Sequence, residues 1–564
     1  MVKLLLLFSR TFALDFAFFR AQLALNKKFY FCYNDTMLSK LQNTIAGGTI
    51  IIGFFSVVSK LIGLFRDRLL ASTFGASGDL DVYYAAFRLP DFVFNTLVLG
   101  ALSAAFIPVF LELWNKDKES GWRVTNILLS VFAVVLTAAA VVMWIFARPL
   151  MYIIAPGFNP AQQALTADLT RIILPSIVIF GISNIISSLL NVFKRFIIYS
   201  LAPIMYNVGI VIGILFFVPY LGVRGLAWGV LVGALLHLLI QLPSAWKLGW
   251  NFKFDWDWRF PGVRKIIKLM IPRTFGLAVG QINQVVFTIL ASTMAAGSLA
   301  VFNLANNLQS VPIGILGVSM AVAAFPVLSE AWAKQDCGNF AVCLSVSIRR
   351  MLFVIIPFSV LLILLRAQIV RVVFGAGHFD WQDTIWTANT LGIFSLSLFA
   401  QVLIPLLARA FYARQDTRTP VIIAVISLLT NVGLAFWLMR IFPNDGIYAL
   451  ALSFSISSVI NAALLFIILK LQVGWLDDKK MLLSLMKISF SSLAMGVVVW
   501  IMLRGALALP IPEEETFIKI LTQAIIAGGV GVMVYIGLTF LLRSDELELI
   551  RVKAREAWKL VKRK

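Results

Sequence analysis

Two long apolar stretches of this chain, about 219 residues apart, are recognisable copies of one segment. The first copy runs from Leu70 to Trp114 and the second from Leu290 to Trp332, and both open with the tetrapeptide Leu-Ala-Ser-Thr. A duplicated apolar half-chain is typical of transporters, in which the substrate site lies between two structural repeats. The repeat therefore predicts two similar lobes with a cleft between them.

The composition places both lobes in a membrane. Hydrophobic residues make up 60% of the 564 residues and charged residues only 13%, whereas soluble domains carry roughly 25% charged residues. Apolar runs of about 20 residues cross the hydrocarbon core as helices, and the sequence contains about 14 of them. They lie at residues 44–64, 82–110, 125–146, 169–191, 200–220, 225–243, 270–294, 300–327, 351–367, 384–408, 420–441, 447–469, 482–502 and 518–542. The predicted fold is an all-α integral membrane protein.

The helix order predicts how the lobes are arranged. Six helices in each lobe give both lobes the same orientation, related by an axis along the membrane normal. The predicted units are, in order, an uncertain N-terminal extension at 1–36 before a functional start at Met37, a first lobe at 37–243, a basic cytoplasmic linker at 244–269, a second lobe at 270–470, two additional helices at 471–542 and a basic amphipathic tail at 543–564.

Basic residues are sorted between the two sides of the membrane. Most lysines and arginines fall in the loops after even-numbered helices and in the C-terminal tail. Because positive charge is retained on the cytoplasmic side, both ends of the helical core are predicted to be cytoplasmic. The net charge of +21 then reflects topology and contact with anionic membrane lipids. No basic soluble domain is present to bind nucleic acid.

Catalytic and metal-binding patterns are missing from the sequence. Cys32, Cys337 and Cys343 are too few and too scattered for a disulfide framework or a zinc site. No phosphate-binding loop, paired metal ligands or nucleophile–base motif occurs. We therefore expect a protein that is not an enzyme and has no cofactor or metal, with transport coupled to the membrane potential or to a monovalent cation gradient.

Ionisable residues within or beside the predicted spans are the candidates for function, because each costs about 2.5–3.5 kcal/mol at the bilayer centre. The candidates are Lys60, Arg66 and Asp67 on helix 1, Asp81 and Arg88 on helix 2, and Arg273 at the start of helix 7; Asn307 occupies the position of Arg88 in the second copy. Several cations facing one cavity favour an anionic substrate, and the planar arginine fork suits phosphate. A structural Arg66–Asp67 pair and a helix-end anchor at Arg273 remain alternatives.

The same residues lie in motifs that resemble the MurJ (MviN) lipid II flippases of the MOP transporter superfamily. The matching motifs are SKLIGLFRDRLLASTFG from Ser59, FRLPD from Phe87, GALSAAFIPVF from Gly100, APGF from Ala155, FGAGHFD from Phe374 and FYARQDTRTPV from Phe411. The resemblance implies two six-helix lobes around a cationic cavity, with two further helices beside the lipid tail. It also implies a multi-pass protein of the bacterial plasma membrane that moves a polyprenyl-diphosphate-linked cell-wall precursor, with cell-wall synthesis proteins as possible partners.

The resemblance extends to individual residues, with departures. It implies that Arg66 and Asp67 are the essential pair of the family on helix 1, and that Lys60 stands where many members have arginine. Asp81 matches the acidic residue that opens helix 2, and Arg88 matches a basic position within it. The family arginine after the Leu-Pro element is absent, since Phe94 and Asn95 stand there, and the helix 8 arginine is replaced by Asn307. Arg273 is a candidate to restore one missing charge.

Three other functions are weighed against this one. A flippase for another lipid-linked oligosaccharide, of the O-antigen type, is favoured by the missing arginines. A drug exporter of the same superfamily is disfavoured, because such exporters bind cations through a cavity acid and the first lobe here carries mainly cations. A non-transporting scaffold for cell-wall enzymes is the third.

Overall fold

The computed structural model describes residues 45–443, 445–505 and 517–547, and within these ranges the chain is helical and contains no β-strand. The predicted all-α membrane fold is therefore confirmed. Within the same ranges, ten helices are long and apolar enough to cross a membrane, or up to twelve if each of two bent pairs is one span. The count of fourteen stays a prediction. The N-terminal extension and the tail beyond residue 547 lie outside the described residues.

The helices fall into two consecutive halves and a C-terminal pair. The first half contains α1 (Ile45–Phe74), α2 (Gly78–Ala86, Arg88–Val93, Phe94–Leu102 and Ser103–Lys116), α3 (Lys118–Ile145), α4 (Pro160–Ile173 and Pro175–Val192), α5 (Phe196–Ile212, Gly213–Phe217 and Val218–Leu221) and α6 (Arg224–Leu239 and Leu242–Lys247). The second half contains α7 (Pro261–Ser292), α8 (Ser298–Pro312, Ile313–Val318 and Ser319–Ala333), α9 (Cys337–Leu364), α10 (Trp381–Leu396 and Leu398–Ala413), α11 (Arg418–Ile441) and α12 (Gly446–Val473). The last two helices are α13 (Asp478–Arg504) and α14 (Phe517–Leu541).

Several helices extend beyond the predicted apolar runs. Helix α1 continues to Phe74 rather than ending at residue 64, and α7 begins at Pro261 rather than at residue 270. An apolar run ends at the first charged residue, but α1 continues because Arg66 and Arg68 find acceptors inside the protein. The first turns of α7 carry exposed lysines and arginines, so this part of the helix shows no apolar run. The predicted linker is consequently shorter than expected, because α6 and α7 occupy both of its ends.

The sequence repeat is also a structural repeat. Helices α2 and α8 each contain a π-helical segment, Phe94–Leu102 and Ile313–Val318, at positions separated by the repeat spacing of about 219 residues. Short helices that the sequence did not predict, Ala147–Ile154 and Arg366–Phe374, also correspond at this spacing. A π-helical segment widens the turn and often marks a functional position in a helix.

The hydrophobic core divides into parts that show how the halves meet. One cluster combines residues of both halves, including Leu80 and Phe158 with Phe302 and Phe394, and it lies toward the loops that follow odd-numbered helices. A second cluster belongs to the first half and the first turns of α7, and a third belongs to the second half. These two lie toward the loops after even-numbered helices. The halves are therefore packed together through several helices at one end, whereas at the end that carries the basic loops the second half meets the first mainly through α7, which also pairs Lys265 with Glu112 of α2.

Polar contacts close the end at which the halves meet. Asp81 of α2 accepts hydrogen bonds from the backbone N–H groups of Gly297 and Ala300, both at 2.7 Å, at the start of α8. The Ala76 N–H donates to the Asp383 carboxylate at 2.9 Å, again across the two halves. Gly297 has a φ of 89°, and a Cβ atom there would lie 1.9 Å from the Ala76 carbonyl oxygen. Glycine is therefore required for this close approach.

Candidate functional site

A cavity of about 330 Å³ lies between the two halves. Its first-half wall consists of Arg66 on α1, Tyr83, Tyr84, Arg88, Asp91 and Asn95 on α2, and Tyr206 on α5. Its second-half wall carries Gln281 and Gln284 on α7 with Asn303, Asn306 and Asn307 on α8. One wall therefore bears the charges and the phenol rings, whereas the other bears uncharged amides.

Arg66 is held in the first-half wall by a fixed set of acceptors. Its Nη2 and Nε atoms donate to one oxygen of Asp67 at 2.7 and 3.0 Å, and Nη1 donates to Asn207 on α5 at 2.9 Å. The side chain is 21% exposed. Since a guanidinium has five N–H donors, two remain for a ligand in the cavity.

Asp67, which accepts the hydrogen bonds of Arg66, also connects the two halves. Its side chain is only 4% exposed, and its second oxygen accepts a hydrogen bond from the Asn307 amide at 3.0 Å. A buried carboxylate needs such partners, because an unpaired charge in a low-dielectric interior is costly. Arg66 and Asp67, which the sequence predicted as a pair, therefore form a network with Asn307. Asn307 is the residue of the second copy that aligns with Arg88 of the first.

Arg88 crosses from α2 to the second half. Its Nε donates to the Thr288 hydroxyl at 2.6 Å and its Nη2 donates to the Asn303 amide oxygen at 3.0 Å. Although the residue is only 8% exposed, it borders the cavity and keeps three unused N–H donors. Arg88 thus both ties the halves together and offers positive charge to the space between them.

Lys60 lies in a second, larger cavity. This space of about 610 Å³ opens among α1, α2, α4, α5 and α6 and is lined mainly by serine, asparagine and aromatic side chains. Lys60 is exposed and has no hydrogen bond or ion pair among the described residues. Its side chain approaches Gly314 of the π-helical segment in α8, where a Cβ atom would lie 3.9 Å from the ammonium nitrogen. Lys60 is therefore a cation available to a ligand.

Two of the predicted substrate-binding residues need a different description. Asp81 lines neither cavity, is 3% exposed and uses both carboxylate oxygens on the start of α8. The prediction that it contacts substrate does not match its position, because its negative charge is neutralised by the N–H groups of a helix terminus. The backbone of Arg273 lies in α7, but its side chain is outside the described part of the chain, so its role stays a prediction.

Sequence reasoning missed the amide wall. Gln281 and Gln284 are one turn apart on α7, and Asn303 and Asn306 are one turn apart on α8. A polar pair at this spacing marks one polar stripe on an otherwise apolar helix, and that signal was available in the sequence. It was overlooked because the search was restricted to charged residues.

The fold and the site together define the class of the protein. Two repeated helical halves, closed together at one end and joined at the other mainly through α7, with buried arginines at the cavity between them, are the architecture of an alternating-access membrane transporter. Because the cations outnumber the one acid in the cavity lining among the described residues, the site suits an anionic ligand.

Comparison with known proteins identifies the family. The family described as "Lipid II flippase MurJ" matches residues 70–508. A lipid II flippase MurJ of Burkholderia cenocepacia is 30% identical over 74% of this chain and 82% of its own length, and a probable lipid II flippase MurJ of Thermotoga maritima is 30% identical over 91% and 99%. The chain belongs to the MurJ lipid II flippase family.

Solved structures agree with this assignment. A lipid II flippase MurJ in an inward closed conformation superposes with a TM-score of 0.73 at 26% identity, over 88% of this chain and 99% of that structure. An inward-facing MATE multidrug transporter of the MOP superfamily gives a TM-score of 0.64 at 14% identity, over 74% of this chain and 96% of that structure, and shares the fold. The alternative of an O-antigen-type flippase is not favoured by these matches.

Proposed function

We propose that this chain moves lipid II, a polyprenyl-diphosphate-linked peptidoglycan precursor, from the inner to the outer leaflet of the bacterial plasma membrane by alternating access. The observation that carries the proposal is the cavity between the halves, where Arg66 and Arg88 present unused guanidinium donors in a chain of the MurJ family. A diphosphate is the part of lipid II that such donors suit, because its oxygens accept paired hydrogen bonds from an arginine fork.

The two walls of the cavity divide the headgroup between them. Arg66 and Arg88 would hold the diphosphate, and Lys60 would meet it from the larger cavity. The amides of α7 and α8 would hydrogen-bond the sugar and peptide groups, since an amide side chain both donates and accepts. The central cavity of about 330 Å³ would accommodate the diphosphate and the groups next to it, since pockets of this size hold drug-sized ligands. The prenyl tail would stay in the bilayer beside α13 and α14.

The charged loops support an orientation in the membrane. The end opposite the Asp81 contacts carries the basic loops after even-numbered helices, and positive charge favours the cytoplasmic side. The cavity would therefore receive lipid II from the inner leaflet in the conformation described here. Outward opening requires the contacts of Asp81 and Asp383 across the halves to break and new contacts to form at the cytoplasmic end.

The membrane potential would favour movement of the headgroup toward the outer leaflet. A potential that is negative inside is worth about 2.3 kcal/mol per charge per 100 mV. A headgroup with two negative charges on its diphosphate would gain about twice that on moving outward. This driving force would act without an ATPase domain or a cofactor.

A depletion experiment tests the proposal in cells in which this chain is the only flippase. Depletion should trap lipid II in the inner leaflet, and re-expression of the natural chain should release it. Arg66→Ala should not release it, whereas the control Arg224→Gln should, because Arg224 is an exposed residue whose partner Asp168 lies outside both cavities. Normal appearance of lipid II in the outer leaflet after depletion would refute the proposal and favour a scaffold role.

A further inference from the structure

One acidic side chain in the cavity has no role in the function proposed above. Asp91 lies on α2, three residues after Arg88, and it borders both the central cavity and the larger one. Among the described residues it is the one carboxylate in either lining. Asp91 therefore lies where the two spaces adjoin.

Asp91 is not held there by a structural partner. Within the described ranges its carboxylate accepts no side-chain or backbone hydrogen bond and forms no salt bridge. Arg88 is close enough to attract the carboxylate electrostatically, but it donates its hydrogen bonds to Thr288 and Asn303 in the other half. Ionisable residues in membrane-spanning helices are usually paired, and one that is unpaired in a cavity marks a function.

Charged and titratable groups around Asp91 come from four of the helices that border the two cavities. They are Lys60 and Arg66 on α1, Tyr83, Tyr84 and Arg88 on α2, Tyr199 and Tyr206 on α5, and His237 on α6. The imidazole of His237 is bonded to Ser183 at 2.6 Å and faces Gln241. The described residues of α7 and α8 that line the central cavity contribute amides and no charge.

An ionised Asp91 conflicts with the proposed ligand. A diphosphate that enters between Arg66 and Arg88 brings two negative charges into a space that already contains a carboxylate, and like charges at short range in a low dielectric repel strongly. A proton on Asp91 removes this repulsion. The resulting carboxyl group also becomes a hydrogen-bond donor, which can point to a phosphate oxygen.

We infer that Asp91 is a proton-binding site linked to the headgroup site, so that lipid II and one proton bind together. The inference rests on the proposed function. The proton comes from the aqueous cavity, forms an O–H bond on the Asp91 carboxylate as the diphosphate enters, and returns to water when the lipid leaves. One proton would then accompany the two negative charges of the diphosphate, so the net charge moved outward falls from two to one.

Titration calorimetry with lipid II in detergent tests this linkage between pH 6 and pH 8. Both phosphates of lipid II are esterified, so the diphosphate keeps its two charges over this range. Two buffers of different ionisation enthalpy reveal the protons taken up on binding. The natural chain should take up a proton, up to one per lipid, and its Kd should rise by as much as about tenfold per pH unit where the linkage is complete.

Variants assign the proton to its site. Asp91→Asn should bind lipid II without proton uptake and with a Kd that does not change with pH, and Asp91→Glu should behave like the natural chain. Asp79→Asn is the matched control, because Asp79 is an exposed carboxylate on the same helix and outside both cavities. Asp91→Ser replaces Asp91→Asn if the asparagine variant does not fold, as judged by its melting temperature.

The possible results distinguish a failure of the inference about Asp91 from a failure of the proposed function. Binding by the natural chain with no proton uptake, or a pH slope that persists in Asp91→Asn, overturns the inference and leaves the proposed function standing. No binding of lipid II at any pH overturns the proposed function, and the inference falls with it.

Discussion

Removing the charge of Asp81 should open the closed end of the molecule. In Asp81→Asn the side chain keeps its shape, but an NH2 donor replaces one of the two oxygens that accept separately from Gly297 and Ala300, so one of these N–H groups loses its acceptor. A hydrogen bond to a charged group contributes about 1.5–3 kcal/mol, and an unpaired buried N–H costs about 1–3 kcal/mol. A loss of about 2–4 kcal/mol specific to the conformation described here shifts the equilibrium toward one in which this end is open by about 30-fold to 700-fold.

Double electron–electron resonance spectroscopy measures this shift in the conformational equilibrium. Spin labels at Tyr220 and Phe442 report the distance between the two halves at the closed end, since both side chains are exposed there, on α5 and after α11. The native cysteines are first replaced by serine. The Asp81→Asn variant should gain a longer-distance population, and Asp79→Asn should keep the parent distribution because Asp79 is exposed and its carboxylate forms no hydrogen bond or salt bridge with the described residues of α8. An unchanged distribution in Asp81→Asn would refute the view that this carboxylate holds the halves together.

Four further changes have expected outcomes. Arg66→Lys keeps the charge but loses the fork to Asp67 and Asn207, so flipping should fall at least about tenfold with unchanged expression. Lys60→Met should weaken lipid II binding without lowering the melting temperature, because no described residue pairs with Lys60; a lowered melting temperature would contradict this. Gly297→Ala should force the closed end apart, and spin-label distances that match the parent would refute it. Tyr535→Phe removes the 2.7 Å hydrogen bond to the Phe353 carbonyl and should lower stability by about 1 kcal/mol, measured by thermal unfolding.

The sequence predicted the helical fold and the two arginines of the site, because apolar runs and charges within them have clear energetic causes. Apolar runs report burial in lipid, so the helical class could be recognised. The repeated segment could be recognised because its two copies, around α2 and around α8, keep similar residues. Arg66 and Arg88 were found because charge in an apolar helix is costly and therefore marks function. Both line the central cavity.

The rest of the site depends on contacts between the halves, which no local pattern reports. Asp81 shares a predicted helix with Arg88, as Asp67 does with Arg66, but it meets the N–H groups of α8 and not the cavity. The opposite error applies to Asp91, which was quoted within a motif and given no role although it borders both cavities. Which side of a helix faces the other half decided both cases.

Flipping in reconstituted vesicles tests the central proposal most directly. Lipid II is placed in the leaflet that corresponds to the cytoplasmic side, and its headgroup is detected from the opposite side while a potassium gradient sets the potential. The natural chain should expose the headgroup, faster when the cytoplasmic side is negative, and Arg66→Ala should not. Equal exposure by the natural chain and by Arg66→Ala, at comparable amounts of folded protein, would contradict the view that buried guanidinium groups carry the diphosphate across.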